Sequence, residues 1–217
     1  THRPRMLPCP GLLEKTAKIV LIDHHRRSTE FISPCSLVYH EPYASSTCEM
    51  VTELLEYMNA GGELTKLEAE CIYSGIILDT KNFMLKTGVR TFEAASYLRR
   101  MGLDTVAVKR MFSTGKREYA MKSDIVKSAA SVTNEIAVAK TYTSDKNMRQ
   151  IASQAADDML NIKDVVASVV VYPADGGTGF SARSIGTINV QLIMEKLGGG
   201  GHMTVAGAFI RGIGVDE

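Results

Sequence analysis

The chain has 217 residues, 45% of them hydrophobic, enough for one large domain or two small ones with real cores, which excludes a disordered polypeptide. Lysine and arginine total 25 against 24 acids, a net charge of +1, so there is no global basic footprint for long nucleic acid or an anionic membrane surface, and any anion must be held locally. No apolar run approaches the ~20 residues that cross a bilayer, and Cys9, Cys35, Cys48 and Cys71 lack C-x-x-C spacing, which points to free thiols in a reducing compartment.

The opening THRPRMLPCPG carries no signal peptide and no initiating methionine, which leads to the expectation of a soluble piece cut from a longer protein. The first apolar run, Ile19 to Ile22, is short, β-branched and bounded by charge, and predicts a buried parallel strand. A helix follows in SSTCEMVTELLEYMNAGG, with Ser46 and Glu49 in capping-box spacing and Gly61 and Gly62 as its stop. Thr65 and Glu68 repeat the box in TKLEAECIYSGIILDT, whose residues Leu67, Cys71, Ser74 and Leu78 are expected along one packing face, with Asp79 near the C-terminal end. A third helix is predicted from Thr91 to Met101, closed by Gly102, and the charged stretch from Val106 to Ala130 reads as a connecting helix or helix pair. Beyond it, EIAVAKTY and VVASVVVY are predicted strands around the helix MRQIASQAADDMLN, followed by GGTGFSARS, the helix NVQLIMEKL, a glycine run and MTVAGAFI.

Three stretches carry chemistry. Ligands of open α/β sheets sit beyond the carboxyl ends of parallel strands, where Asp23, His24, His25, Arg26 and Arg27 emerge. Imidazole and carboxylate together suit manganese, zinc or iron, or else a carboxylate that fixes a histidine tautomer; the bland reading is a pair of satisfied or exposed histidines. Asp79 is badly placed at a helix C-terminus unless a cation, a metal ion or Lys81, compensates it. In GGGGHMTVAGA, Gly198 to Ala208, glycines free backbone N–H groups to approach an anion and His202 adds a donor; a flexible linker is disfavoured because the run joins an apolar helix to an apolar strand. Arg183 suits a phosphate or a stacked base, or a surface ion pair, and Asn189 suits a base edge or a helix cap.

With LIDHHRR, EPYASST, GIILDTKNF, SARSIGTINVQLIMEKLGGGGH and AGA in this order, the chain resembles the DHH/DHHA1 phosphoesterases, and among them the catalytic end of the membrane-anchored cyclic-di-AMP phosphodiesterases of the GdpP/YybT type. The resemblance implies a two-domain α/β protein: a DHH domain with a parallel sheet flanked by helices over residues 1–105, incomplete here, a helical linker over 106–130, and a smaller mixed-sheet DHHA1 domain over 131–217. It implies an active site in the cleft between the domains, two Mn2+ ions bridged by a carboxylate, and hydrolysis of cyclic-di-AMP to pApA. Residue by residue, His24 and Asp79 resemble ligands of one metal, Asp23 the acid that orients that histidine, and His25 a phosphate contact or general acid. Gly199, Gly200, Gly201, His202 and Arg183 resemble phosphate and nucleotide contacts, with Ser181 and Asn189 as further substrate-binding candidates.

The family pattern also has an earlier H-x-x-x-D-x-D segment and a bridging aspartate that falls just before Thr1, so four ligands are expected to be missing and the 217 residues alone to be inactive. The uncovered DHH sheet then invites a homodimer. The relatives imply a cytoplasmic domain whose parent is anchored at the bacterial inner membrane. The expected partner is a cyclic or short linear dinucleotide: aromatics are 6% and tryptophan is absent, too few for the stacking platforms of a processive exonuclease, and a pyrophosphatase has no use for the glycine-histidine element. A short oligoribonucleotide or pApA phosphoesterase and a non-catalytic dinucleotide-binding module are the alternatives.

Overall fold

The computed structural model describes residues 1–58, 64–133 and 135–216, so the stop expected at Gly61 and Gly62 lies outside the described residues. Two compact units divide the chain, Thr1–Ser113 and Thr114–Glu217.

The first unit begins with two 3-10 turns, Pro4–Met6 and Pro10–Glu14, each opened by a proline whose fixed φ suits a first helical position. Strand β1 (Val20–Asp23) pairs in parallel with β2 (Leu37–His40), which the sequence reading did not anticipate. Leu21 and Asp23 are buried on β1 while Val20 is exposed, so the expected parallel strand is present with one inward face. Helices α1 (Thr47–Tyr57), α2 (Lys66–Asp79), α3 (Val89–Arg100) and α4 (Thr105–Met111) follow. Their core is Ala69, Ile76, Ala94, Tyr97, Leu98, Leu103 and Val108.

Local chemistry sets these helices, with two corrections. Thr65 and Glu68 form the full reciprocal box at the start of α2. At α1 the Ser46 hydroxyl accepts from the Glu49 amide, but the Glu49 carboxylate turns inward, accepting from Ser45 and from Thr91 on α3, so half of that box ties two helices together instead. On α2 the face through Leu67, Cys71 and Leu78 is exposed, whereas Ala69 and Ile76 are buried. This helix is apolar almost all round, and periodicity selected the wrong stripe.

The second unit opens with α5 (Lys116–Lys127) and is built on a six-stranded sheet in the order β3 (Ala130–Thr133), β4 (Ile136–Lys140), β5 (Ala167–Ala174), β6 (Gly177–Ser184), β8 (Val205–Arg211), β7 (Gly200–His202). Strands β4 and β5 are parallel around α6 (Met148–Met159), a βαβ unit, and the remaining pairings are antiparallel. Buried Ile151, Ala152, Ala155, Ala156 and Met159 seat α6 against one face, the alanines permitting close approach. Helix α7 (Val190–Lys196) buries Val190 and Met194 against Ala167, Ala182 and Ala206 on the other face. The glycine run does not form a free loop: Gly200 to His202 is the edge strand β7, hydrogen-bonded to β8. Among the described residues, no helix is long and apolar enough to cross a membrane.

Candidate functional site

In the first unit, strand β1 delivers the D-H-H triplet at its carboxyl end. Asp23 is fully buried, and its oxygens accept four hydrogen bonds: Oδ2 from the His2 amide and Nδ1, each at 2.6 Å, and Oδ1 from the His25 amide at 3.1 Å and Nδ1 at 2.7 Å. Burial alone raises the carboxyl pKa, but the bonds from His25 and then His2 outweigh it and hold the group well below the usual carboxylate range. Asp23 is therefore an anion at neutral pH with every acceptor position in use.

The tautomers follow from the partners. The Ser28 amide donates to His2 Nε2 at 3.0 Å, so that nitrogen carries a lone pair and the His2 proton sits on Nδ1, facing Asp23. The Ala44 carbonyl can only accept, so the 3.3 Å contact with His24 Nδ1 places that proton on Nδ1 and leaves the Nε2 lone pair 3.5 Å from Asp79 Oδ2. Burial lowers the His24 pKa, with Asp79 opposing, which favours the neutral ring a metal requires.

The structure thus brings His24 and Asp79 together, as expected, but gives Asp23 a different task. Asp23 orients His25 and His2, and the Ala44 carbonyl of the EPYASST stretch orients His24. His25 Nε2 is left to face outward on a side chain that is 54% exposed. Arg27 stacks over Phe31 at 4.5 Å.

His2, Asp23 and His40 form the one three-ligand cluster among the described residues. It does not fit a metal ion, because Asp23 is saturated, His2 Nδ1 carries a proton, and His40 Nε2 donates to the His25 carbonyl at 2.6 Å. The two-donor pair of His24 and Asp79 fits a divalent cation: a nitrogen lone pair and a carboxylate oxygen converge, and the carboxylate is the last residue of α2. After the capping Thr80, Lys81, Asn82 and Phe83 all adopt left-handed backbone, φ 50°, 59° and 62°. That run is closed by the Thr80 hydroxyl, which accepts from the Phe83 amide at 3.0 Å and donates to the Ile76 carbonyl at 2.7 Å.

The second unit holds an open groove of about 1140 Å³ lined by Ser181, Arg183, Gly199, Gly200, Gly201 and His202, together with Arg149 and Lys146. Arg183 is 8% exposed and already engaged: it donates to Ser153, and its Nε lies 3.2 Å from Asp157 Oδ1, an ion pair not aligned as a hydrogen bond. Of the groove's lysine and arginine side chains, Arg149 and Lys146 have no protein partner among the described residues, and sequence reading missed them because lone cations beside a helix start carry no pattern. Asn189 lies outside the groove and caps α7, its Oδ1 accepting from the Gln191 amide at 3.1 Å, so of its two readings the cap holds.

A triplet at a strand end with an aligned ligand pair, followed by a glycine-edged mixed sheet, defines a class. The chain belongs to the DHH/DHHA1 family: the DHH family N-terminal domain matches residues 9–76 and the DHHA1 domain residues 128–216. It is 47% identical over 218 residues to the cyclic-di-AMP phosphodiesterase GdpP of Geobacillus thermodenitrificans, covering 100% of this chain and 33% of that protein. It is 45% identical over 218 residues to the cyclic-di-AMP phosphodiesterase PdeA of Listeria monocytogenes, with the same coverage, so the chain spans about a third of the length of these relatives. The bifunctional oligoribonuclease and PAP phosphatase NrnA of Thermus thermophilus is 25% identical over 201 residues, 92% of this chain and 60% of that one. An exopolyphosphatase-related protein from Bacteroides fragilis shares the fold, with a TM-score of 0.83 at 20% identity over 96% of this chain and 64% of that one.

Proposed function

We propose that this chain is the catalytic region of a metal-dependent phosphodiesterase that hydrolyses cyclic-di-AMP to pApA, with manganese as the native ion. The observation that carries the reading is the His24 Nε2 lone pair aimed at Asp79 Oδ2, 3.5 Å away, with the opposite ring nitrogen tied to Ala44. Similarity along the whole chain to two cyclic-di-AMP phosphodiesterases supports it.

His24 and Asp79 would hold the cation, which when bound polarises phosphate and acidifies water. His25, clamped through Nδ1 by an anion that stays ionised, presents Nε2 outward with its ring fixed, the arrangement needed to hand a proton to a departing ribose oxygen. In the second unit, His202 and the edge strand at Gly200 and Gly201 offer donors to a phosphate of the substrate, and the uncommitted Arg149 adds charge. Arg183 shapes the groove through Ser153 and Asp157. Two-metal hydrolysis needs ions roughly 3.5 to 4 Å apart, each held by several ligands. His24 and Asp79 alone do not supply them, so the 217 residues by themselves bind manganese weakly and do not turn over at the full-length rate.

The test compares the full-length protein, its His24→Ala and Asp79→Asn variants, and the 217-residue chain, with manganese and cyclic-di-AMP. Both variants are expected to lose hydrolysis and manganese affinity. Wild-type turnover by His24→Ala would overturn the assignment. The NrnA similarity favours a second reading, in which short linear oligoribonucleotides or pApA are the substrates; faster turnover of pApA than of cyclic-di-AMP would select it.

A further inference from the structure

The groove of the second unit has a floor whose composition the fold only partly explains. Side chains alternate across a sheet, and the Ser168 hydroxyl donates to Ala156 on α6 while its β6 partner Arg183 reaches Ser153 on the same helix. The residues in phase with Arg183 therefore face α6. Across β6, β8 and β7 they form three ranks: Gly179 beside Phe209, then Ser181 beside Gly207 and Gly200, then Arg183 beside Val205 and His202.

The middle rank is almost bare, and the reason differs from glycine to glycine. In that rank a Cβ at Gly207 would lie 2.9 Å from the Phe180 carbonyl oxygen, and at Gly199 and Gly201, which flank it out of phase, 2.2 Å from the Gly207 oxygen and 2.4 Å from that of Val205, so these three are demanded by the fold. Gly200 is not. Its φ is not left-handed, and nothing lies within 4 Å of where its Cβ would stand. Its missing side chain leaves the groove open and serves no packing or backbone need.

The two ends of this bare rank differ in chemistry. At one end Phe209 is 45% exposed beside Gly179, over which the Tyr172 ring lies, 2.4 Å from where a Cβ would be. At the other, His202 is exposed and has no protein partner among the described residues. Two-residue steps of about 6.8 Å put these ends roughly 13 Å apart.

We propose that the three ranks seat a single nucleotide unit, its base stacked on Phe209, its sugar crossing the Gly207 and Gly200 rank, and its phosphate meeting His202. This deepens the reading of the groove as the phosphate site and rests on it. Stacking on one phenyl ring tolerates any base, so the platform supplies affinity without choosing adenine over guanine.

Calorimetric titration of the 217-residue chain in EDTA with AMP, GMP and ribose 5-phosphate tests this. AMP and GMP should each bind about tenfold tighter than ribose 5-phosphate, the increment expected of one stacked base. Phe209→Ala should erase that difference and leave ribose 5-phosphate affinity unchanged, while Phe209→Tyr restores it; should Phe209→Ala misfold, Phe209→Leu must show the same loss. Gly200→Ala should weaken AMP binding with no change in melting temperature. Equal binding of AMP and ribose 5-phosphate, or wild-type AMP affinity in the Phe209 variants, overturns the base platform and leaves the phosphate site standing. If none of the three ligands binds, the phosphate reading of the groove falls and the platform with it.

Discussion

Asp23→Asn replaces one carboxylate oxygen with an NH2 group in a cluster whose four hydrogen bonds are all specified, and that inventory fixes its outcome. The carboxylate receives two donors from His2 on one oxygen and two from His25 on the other. An asparagine offers one oxygen and one NH2. His2 cannot change tautomer, because the Ser28 amide needs its Nε2 lone pair, so the amide oxygen must face His2 and the NH2 must face His25. His25 can respond by moving its proton to Nε2 and accepting on Nδ1, but its backbone N–H then confronts the NH2 unsatisfied. Two charge-assisted bonds become neutral, losing about 1 kcal/mol each, and a donor left facing a donor costs about 1 to 2 kcal/mol more, for a total near 3 kcal/mol. Urea unfolding followed by circular dichroism measures the loss, and imidazole 15N NMR at mildly alkaline pH reads both tautomers. A variant as stable as wild type, or one in which His25 keeps its proton on Nδ1, would refute the reasoning.

The same cluster sets an acid limit: because the Asp23 pKa is lowered from 3.8 on folding, its contribution is present above about pH 4 and is lost as pH falls below that, so wild type should lose stability on acidification more steeply than Asp23→Asn in acid-titrated melts. Arg183→Ala should lower stability by about 2 kcal/mol by removing the donor to Ser153 and the cation beside Asp157; an unchanged melting temperature with lost AMP binding would mark Arg183 as a ligand contact instead. Gly201→Ala should destabilise by about 2 kcal/mol or more, since φ is 149° and the new methyl would meet the Val205 carbonyl, a shift readable in a thermal melt. Thr65→Ala removes the hydroxyl that accepts from the Glu68 amide, leaves the Thr65 backbone N–H to the Glu68 carboxylate in place, and should cost about 1 kcal/mol by denaturant unfolding.

Local rules reached the elements whose signals are local. The Thr65 and Glu68 spacing, the β-branched run before Asp23 and the helix before Gly102 all depend on neighbouring residues and emerge as expected. The inward turn of Glu49 depends on Thr91, which lies 42 positions away, and so no short window contains it. The pairing of His24 with Asp79 came from the family resemblance of LIDHHRR and GIILDTKNF and not from spacing, since 55 positions separate residues that the fold brings to 3.5 Å. The task of Asp23 was not: His2 reaches it from 21 positions upstream, and a carboxylate beside two histidines gives no sign of which one it holds. Arg183 read as a phosphate or base contact or a surface ion pair, and which partners it has stayed hidden because Ser153 and Asp157 sit on a helix that only the folded sheet brings near.

Three successive L-residues in the mirror-image helical basin behind Asp79 amount to a local debt of about 1 to 2 kcal/mol apiece, offset at Phe83 by its ring stacked on Phe92 with centroids 5.3 Å apart. Such a segment resists sliding by one position, since any slip would move the burden to new residues without reducing it. Asn82→Gly should therefore make the chain sturdier and the aspartate less well aimed, so that rigidity at this corner and global robustness pull in opposite directions.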